Sequence, residues 1–322
     1  MKAVVLTGYG DPSKLKLRTV PRPVPSHGEV LVRIRATGVN DWDWAIVTGT
    51  SIVTRLGNGL FRPKVRIVGL DVAGEIAEVG PGVTRFSLGD RVFGDLSAHG
   101  FGGFAEYVSV AESALSSMPE GMDFVDAAAL PHAANLAAQA IALADLEPED
   151  RLLINGAGGG VGSVAVQLAT RLGVRDIVGV DGASKLDFLR DLGFARVLDY
   201  RRVDFTEMGE QFDVVIDARS TRPARSYARA LAPGGRYVTV GGSMPRLLGI
   251  ALSRKRIRKS TGKSIALVML RTNRDTDSIA ELYDAGVLRP RIDRVFSLAQ
   301  TPDALARFGS GEHLGKVVVE MS

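Results

Sequence analysis

Along the first third of the chain apolar positions recur at every second residue. In "EVLVRIRATGVN" (29–40), Val30, Val32, Ile34 and Ala36 alternate with Leu31, Arg33 and Arg35, the period of a strand with one face toward a core. "GEIAEVGPGV" alternates again and runs into the turn Gly80-Pro81-Gly82, "SLGDRVFG" sets Gly89-Asp90 before another short strand, and "FAEYVSV" follows. Short strands punctuated by glycine and proline predict a small barrel or sandwich. From about Asp123 the pattern changes. An alanine-rich helical segment ends near "LEPED", and strands and helices then alternate at 152–155, 164–172, 177–181, 185–192, 197–198, 214–217 and 237–241. That alternation predicts βαβ units on a parallel sheet. Near the end, "IDRVFSL" and "GKVVVEM" read as strands flanking a helix in "TPDALARF", so the chain is expected to return to its first domain.

The stretch "LLINGAGGGVGSVAVQLATRLG" (152–173) is the most informative. Val161, Val164, Ala165, Leu168, Ala169 and Leu172 form the stripe of a helix lying on a sheet, and Gly173 stands where a left-handed cap would end it. The loop before it contains Ala157-x-Gly159-x-x-Gly162, a variant of the dinucleotide fingerprint. Glycine at 159 admits a pyrophosphate to the backbone, Gly162 lets helix and strand pack closely, and the first-turn amides supply an anion site. Asp181 stands at the end of the next strand, where an acid would accept a ribose hydroxyl. Ser163 and Val164 take the place of the lysine and hydroxyl pair of a P-loop. A methyltransferase could use a similar loop and remains an alternative, although the barrel-like first third argues against it.

The chain of 322 residues is long enough for two domains. It has no cysteine and four histidines, which excludes thiolate zinc ligation and cysteine nucleophiles. His27, His99, His132 and His313 lack ligand spacing and are expected at turns or on the surface. The basic run "RKRIRK" (254–259) has no aromatic neighbours and is expected to be a solvated face, with no nucleic-acid or membrane partner. No run approaches the roughly 18 apolar residues of a membrane span. The apolar run in "MKAVVLTGYG" is too short for a signal peptide, and a cytoplasmic location is expected.

The ordered motifs "GEVLVRIRATGVNDWD", "VGLDVAGEIAEVGPGVTRFSLGDRVFG", "GFAEYV", "AAALP", "INGAGGGVG", "LGFARVLDY", "FDVVIDA", "LAPGGRYVTVGG" and "GKVVVE" resemble the medium-chain dehydrogenase/reductase superfamily. Within it they resemble the zinc-free quinone oxidoreductase-like branch, and "GDLSAHGFGGFAEYV" resembles its reticulon-interacting mitochondrial reductase-like subgroup. The resemblance implies an α/β fold, with a doubly wound parallel-sheet (Rossmann) cofactor domain over 121–286. A mostly β GroES-like domain over 1–120 would be completed by 287–322. Where zinc enzymes of the superfamily carry cysteine and histidine ligands, this chain has Asn40 in "GVN" and Leu70-Asp71 in "GLD". The resemblance therefore implies no zinc, and hydride transfer from NAD(P)H to a quinone, enone or enal. The cofactor would carry the hard step while the protein binds and orients. A homodimer is usual among such relatives. A non-catalytic nucleotide-binding sensor or structural protein on the same fold is the other alternative.

Residue by residue, Asn40 and Asp43 match the element bordering the substrate cleft and are the candidate catalytic groups; capping and turn roles are the plain alternative. Trp42 and Trp44 could wall an acceptor pocket or belong to the core. Candidate cofactor contacts are Gly158, Gly159, Gly160, Val161, Gly162, Asp181, Lys185, Tyr200, Arg219, Gly241 and Gly242. Lys185 and Tyr200 match positions that bind a 2′-phosphate in NADPH-using relatives, so NADP(H) is expected. Asp181 would instead favour NAD(H), the alternative, and could pair with Lys185 at i,i+4. Arg219 replaces a glycine of the family pattern, Leu136 replaces a threonine, and Lys316 matches a common lysine.

Overall fold

The computed structural model describes residues 1–50 and 52–321. The strands, in chain order, are β1 (Lys2–Leu6), β2 (Leu15–Thr19), β3 (Glu29–Gly38), β4 (Asp71–Val79), β5 (Arg91–Asp95), β6 (Tyr107–Ala111), β7 (Ser116–Ser117), β8 (Leu152–Asn155), β9 (Ile177–Asp181), β10 (Arg196–Asp199), β11 (Phe212–Asp217), β12 (Leu231–Thr239), β13 (Ser264–Leu267), β14 (Ile292–Ser297) and β15 (Lys316–Glu320). The chain divides into two compact units. One is Met1–Asn135 with Arg271–Ser322, the other Leu136–Leu270. These divisions lie about 15 residues inside the expected ones at 120 and 287. The helix Phe124–Ala129 packs on β3, β4 and β15, and Asn135 bonds Thr276 and Asp275. Those contacts tie both flanking segments to the first unit.

In the first unit β14-β15-β3-β4-β5-β7 form one sheet, with β6 also paired to β3. The last strands of the chain join this sheet, with Val318 of β15 facing Gly38 of β3. Val30, Val32, Ile34, Val72, Ile76 and Val319 belong to the buried core, and Leu31 is buried as well, so β3 carries more than a strict two-residue alternation. The sheet register gathers chemistry at one end. Gly38 faces Asp71, Asp71 faces Asp95, and Lys316 lies two residues before Val318.

The second unit has strand order β10-β9-β8-β11-β12-β13, all parallel. This is the 3-2-1-4-5-6 arrangement of dinucleotide-binding sheets, whose ligand edge is the carboxyl ends of the strands at the β8 switch point. Two elements differ from expectation. The alanine-rich segment is two helices, Phe124–Ala129 and Pro131–Ala144. Pro131 is the first residue of the second, a position where the N–H that proline lacks would have no intrahelical acceptor. The segment Met244–Thr261, not read as an element, is an 18-residue helix.

Candidate functional site

In the second unit the glycine loop follows β8 and leads into the helix Gly160–Arg171, with Gly159 as its N-cap. The amides of Gly160, Val161 and Gly162 head that helix, where backbone N–H groups have no intrahelical acceptor. A Cβ at Gly159 would meet only the Gly156 carbonyl oxygen, at 3.6 Å, so the backbone faces open space there. At Gly162 it would meet the Ala157 Cα and carbonyl oxygen at 2.5 Å, so only glycine permits the close turn. This is the division of labour a diphosphate cradle requires.

Asp181 closes one side. Its Oδ2 accepts from the Gly158 amide at 2.8 Å and its Oδ1 from the Gly182 amide at 2.8 Å. Lys185 is 5% exposed and its ammonium lies 3.6 Å from Asp181. Cation and carboxylate thus meet beside the loop, the pairing that their spacing allowed. Tyr200 is 51% exposed and follows β10. The Arg219 side chain is exposed, while its amide donates to Asp217 at 2.8 Å. Gly241 and Gly242 follow β12 and lie against the backbone of the turn after β11. A Cβ on Gly241 would sit 3.0 Å from the Ala218 oxygen, and one on Gly242 2.8 Å from the Ser220 oxygen. Leu136 is buried.

Asp217 was not singled out from the sequence. Its buried carboxylate accepts from Asn155 Nδ2 at 2.8 Å, Tyr237 at 2.7 Å and Ser220 at 3.2 Å. It thereby ties the end of β8 to β12 and to the turn after β11. Burial pushes its carboxyl up, and the Tyr237, Arg219-amide and Asn155 donors oppose that shift. A carboxylate ending an apolar strand, "FDVVID", was the signal available.

In the first unit, Asn40 caps the helix Asp41–Thr48. Its amide donates to Asp43 Oδ2 at 2.9 Å, and Asp43 Oδ1 accepts from the Gly69 amide at 2.9 Å. Both oxygens of the fully buried Asp43 therefore bond the chain's own backbone. Burial raises its carboxyl to about 7 against these two amides. The Asn40 side chain donates to Asp71 Oδ2 at 2.8 Å and accepts from Lys316 at 2.8 Å. Lys316 also reaches Asp71 Oδ2 at 3.0 Å. The Asp71 Oδ1 accepts from the His132 amide, and the His132 ring bonds Asp95 at 2.7 Å. Burial pulls the His132 pKa down, but the Asp95 hydrogen bond and charge outweigh it and the net shift is upward. His132 and His313 are buried rather than at turns or on the surface. His132 sits on the carboxylate at the end of β5, and His313 stacks on Phe308. Trp44 packs against the core, while Trp42 is half-exposed.

This cluster does not fit a zinc ion. Asn40 is engaged, Leu70 offers no donor, and the Lys316 ammonium already supplies the positive charge beside Asp71. Among the described residues no group of three or more acidic or histidine side chains is arranged to hold a metal.

The alcohol dehydrogenase GroES-like domain family matches residues 26–120, and the zinc-binding dehydrogenase family matches 192–319. A chloroplastic quinone-oxidoreductase, QR1, of Triphysaria versicolor is 31% identical, covering 99% of this chain and 98% of its own. The 2-methylene-furan-3-one reductase of Solanum lycopersicum is 29% identical, covering 99% of this chain and 79% of its own. Among solved structures, the quinone oxidoreductase from Coxiella burnetii superposes with a TM-score of 0.88 at 26% identity, covering 100% and 99% of the two chains. With this agreement over nearly the whole length, the glycine loop on its 3-2-1-4-5-6 sheet and the β unit completed by β14 and β15, the protein belongs to the medium-chain dehydrogenase/reductase superfamily, in its quinone oxidoreductase-like branch, and is an oxidoreductase.

Proposed function

We propose that the protein is a zinc-independent reductase passing a hydride from a reduced nicotinamide dinucleotide to a quinone or an α,β-unsaturated carbonyl. The observation that carries this is the open backbone at Gly159 at the head of the helix Gly160–Arg171, with the Asp181 carboxylate fixed against the same loop. The names of the relatives, quinone oxidoreductases and a 2-methylene-furan-3-one reductase, support the acceptor class.

A bound reduced nicotinamide would supply the hydride. The amides of 160–162 would bind the diphosphate, with the helix dipole adding to their charge. Asp181 holds Gly158 in place and presents the remaining lone pairs of its carboxylate to the ribose hydroxyls. Because Lys185 is buried against Asp181, its charge is already matched, and we favour NAD(H) over the expected NADP(H). Tyr200, exposed at the end of β10, is the feature that supports NADP(H). Asn40 and Asp43 act as positioning residues for the 38–44 segment, since their polar atoms bond the protein itself. Hydride addition leaves an oxyanion or enolate that takes its proton from solvent or a weak polar group, so no dedicated side-chain acid is required. Zinc independence is supported by Lys316 filling the position of positive charge beside Asp71.

The test is loss of nicotinamide absorbance with a panel of quinones, enones and enals in the presence of a chelator. Turnover that survives chelation is expected; turnover strictly requiring added zinc, or none with any acceptor, would overturn the proposal.

A further inference from the structure

The helix Met244–Thr261 is buried on one side only, through Ile250 and Ile257. Residues advance by about 100° per position around a helix, so the opposite line runs through Met244, Leu248, Leu252, Lys255 and Lys259. This line is exposed throughout. Met244 is 45%, Leu248 58% and Leu252 75% exposed, and both lysines are exposed. The helix is therefore an apolar ridge over its first half and a cationic one over its second. It carries six basic and no acidic side chains, against a net charge of +4 for the whole chain. The rest of the protein thus carries a slight negative excess, and the positive charge is concentrated here. None of the six forms an ion pair with a carboxylate among the described residues.

We propose that this ridge docks on an anionic phospholipid surface, with Met244, Leu248 and Leu252 entering the acyl boundary and Lys255 and Lys259 meeting the headgroups. Charge complementarity selects this occupant. A second copy could cover the leucines, but its matching helix carries no acidic side chain, so the six cations would stay without counter-charge. A nucleic acid would satisfy the cations but leave the leucines facing phosphate, with no aromatic side chains to stack on bases. A bilayer interface offers both chemistries in depth order. A helix of about 27 Å, inclined so that its N-terminal half dips 5–10 Å, meets acyl chains first and headgroups second. The run "RKRIRK" is solvent-facing, as its composition suggests, apart from the buried Ile257, and it continues the helix begun by "MPRLLGIALS".

The proposal is independent of the redox reading, because its test contains no nicotinamide. The full chain is sedimented with phosphatidylcholine vesicles made with and without phosphatidylserine, at low and high salt. Binding to the phosphatidylserine vesicles at low salt, and its loss at high salt, are expected. Lys255→Glu with Lys259→Glu should lower the partition coefficient by about tenfold or more, since each neutralised cation alone is worth about fivefold. Leu248→Ser with Leu252→Ser should lower it by about tenfold or more. All four positions are exposed, so thermal unfolding of both variants should match the parent. The proposal is overturned by no binding at low salt, by equal binding to both vesicle types, or by either double variant binding like the parent. It is equally overturned if Leu248→Ser with Leu252→Ser converts a dimer to a monomer and leaves vesicle binding unchanged.

Discussion

Replacing Gly159 with alanine separates a ligand contact from a fold requirement. The residue has φ −90° and ψ −177°, extended backbone that alanine adopts without strain. The added methyl would touch only the Gly156 oxygen at 3.6 Å, an ordinary contact. Stability should therefore stay within about 0.5 kcal/mol, or rise slightly from the lost freedom of the unfolded chain. The same methyl projects into the space where a diphosphate must meet backbone amides. Pushing the diphosphate back by about 1 Å takes hydrogen bonds of about 2.9 Å beyond useful length. Losing one charge-assisted bond at about 1.5–3 kcal/mol weakens binding by about tenfold to a hundredfold or slightly more. The assay is a fluorescence titration with NADH beside a thermal melt. Gly162→Ala is the control: its methyl would lie 2.5 Å from Ala157 backbone atoms. That overpacking should cost about 1–3 kcal/mol of stability. If Gly159→Ala binds NADH like the parent, or unfolds as easily as Gly162→Ala, the cradle is wrongly assigned.

Asp181→Asn should weaken NADH by about tenfold, the value of one charged hydrogen bond, and leave NADPH unchanged or tighter. Lys185→Ala should raise the KM for NADPH more than for NADH if a 2′-phosphate binds there; equal effects would remove that assignment. The folded pKa of Asp43 is raised from 3.8 to about 7, so between these values the native state holds a proton that the unfolded chain has released. Its share of stability should fall as pH rises from about 4 to about 7, by a few kcal/mol, and level off above. The raised His132 pKa acts in the same direction from about 6.5 upward, and Asp43→Ala melted between about pH 4 and 6 should show a shallower slope; an unchanged slope would contradict the shift. Lys316→Met leaves the buried Asp71 carboxylate without its cation and should cost about 3–5 kcal/mol, read as a fall in Tm; an unchanged Tm would show that the ion pair contributes nothing.

Local pattern was most legible where one element carried the whole message. The stripe from Val161 to Leu172 and the glycines before it identified a helix and its start from adjacent residues. Asp181 was legible because strand length fixes where an acid falls relative to the loop. The first-unit cluster was only half legible. Asn40, Asp43, Asp71 and Lys316 stood out by motif, but their meeting did not: Asp71, Asp95 and Lys316 come from strands brought together by antiparallel register and His132 from the helix Pro131–Ala144, which no local period encodes. Asp217 shows the same limit, since its donors Asn155 and Tyr237 are 62 and 20 residues away. The helix Met244–Thr261 escaped for another reason. Most of it is exposed, so it lacks the buried stripe by which helices are recognised.

The central claim is that the turn between Asn155 and Val161 holds the diphosphate of a nicotinamide coenzyme. Calorimetric titration of the protein with NADH, NADPH and S-adenosylmethionine in separate runs tests it most directly. Saturable one-site binding of NADH, with weaker NADPH and no heat from S-adenosylmethionine, is the expected result. Binding of the methyl donor alone, or of no dinucleotide, would contradict the account.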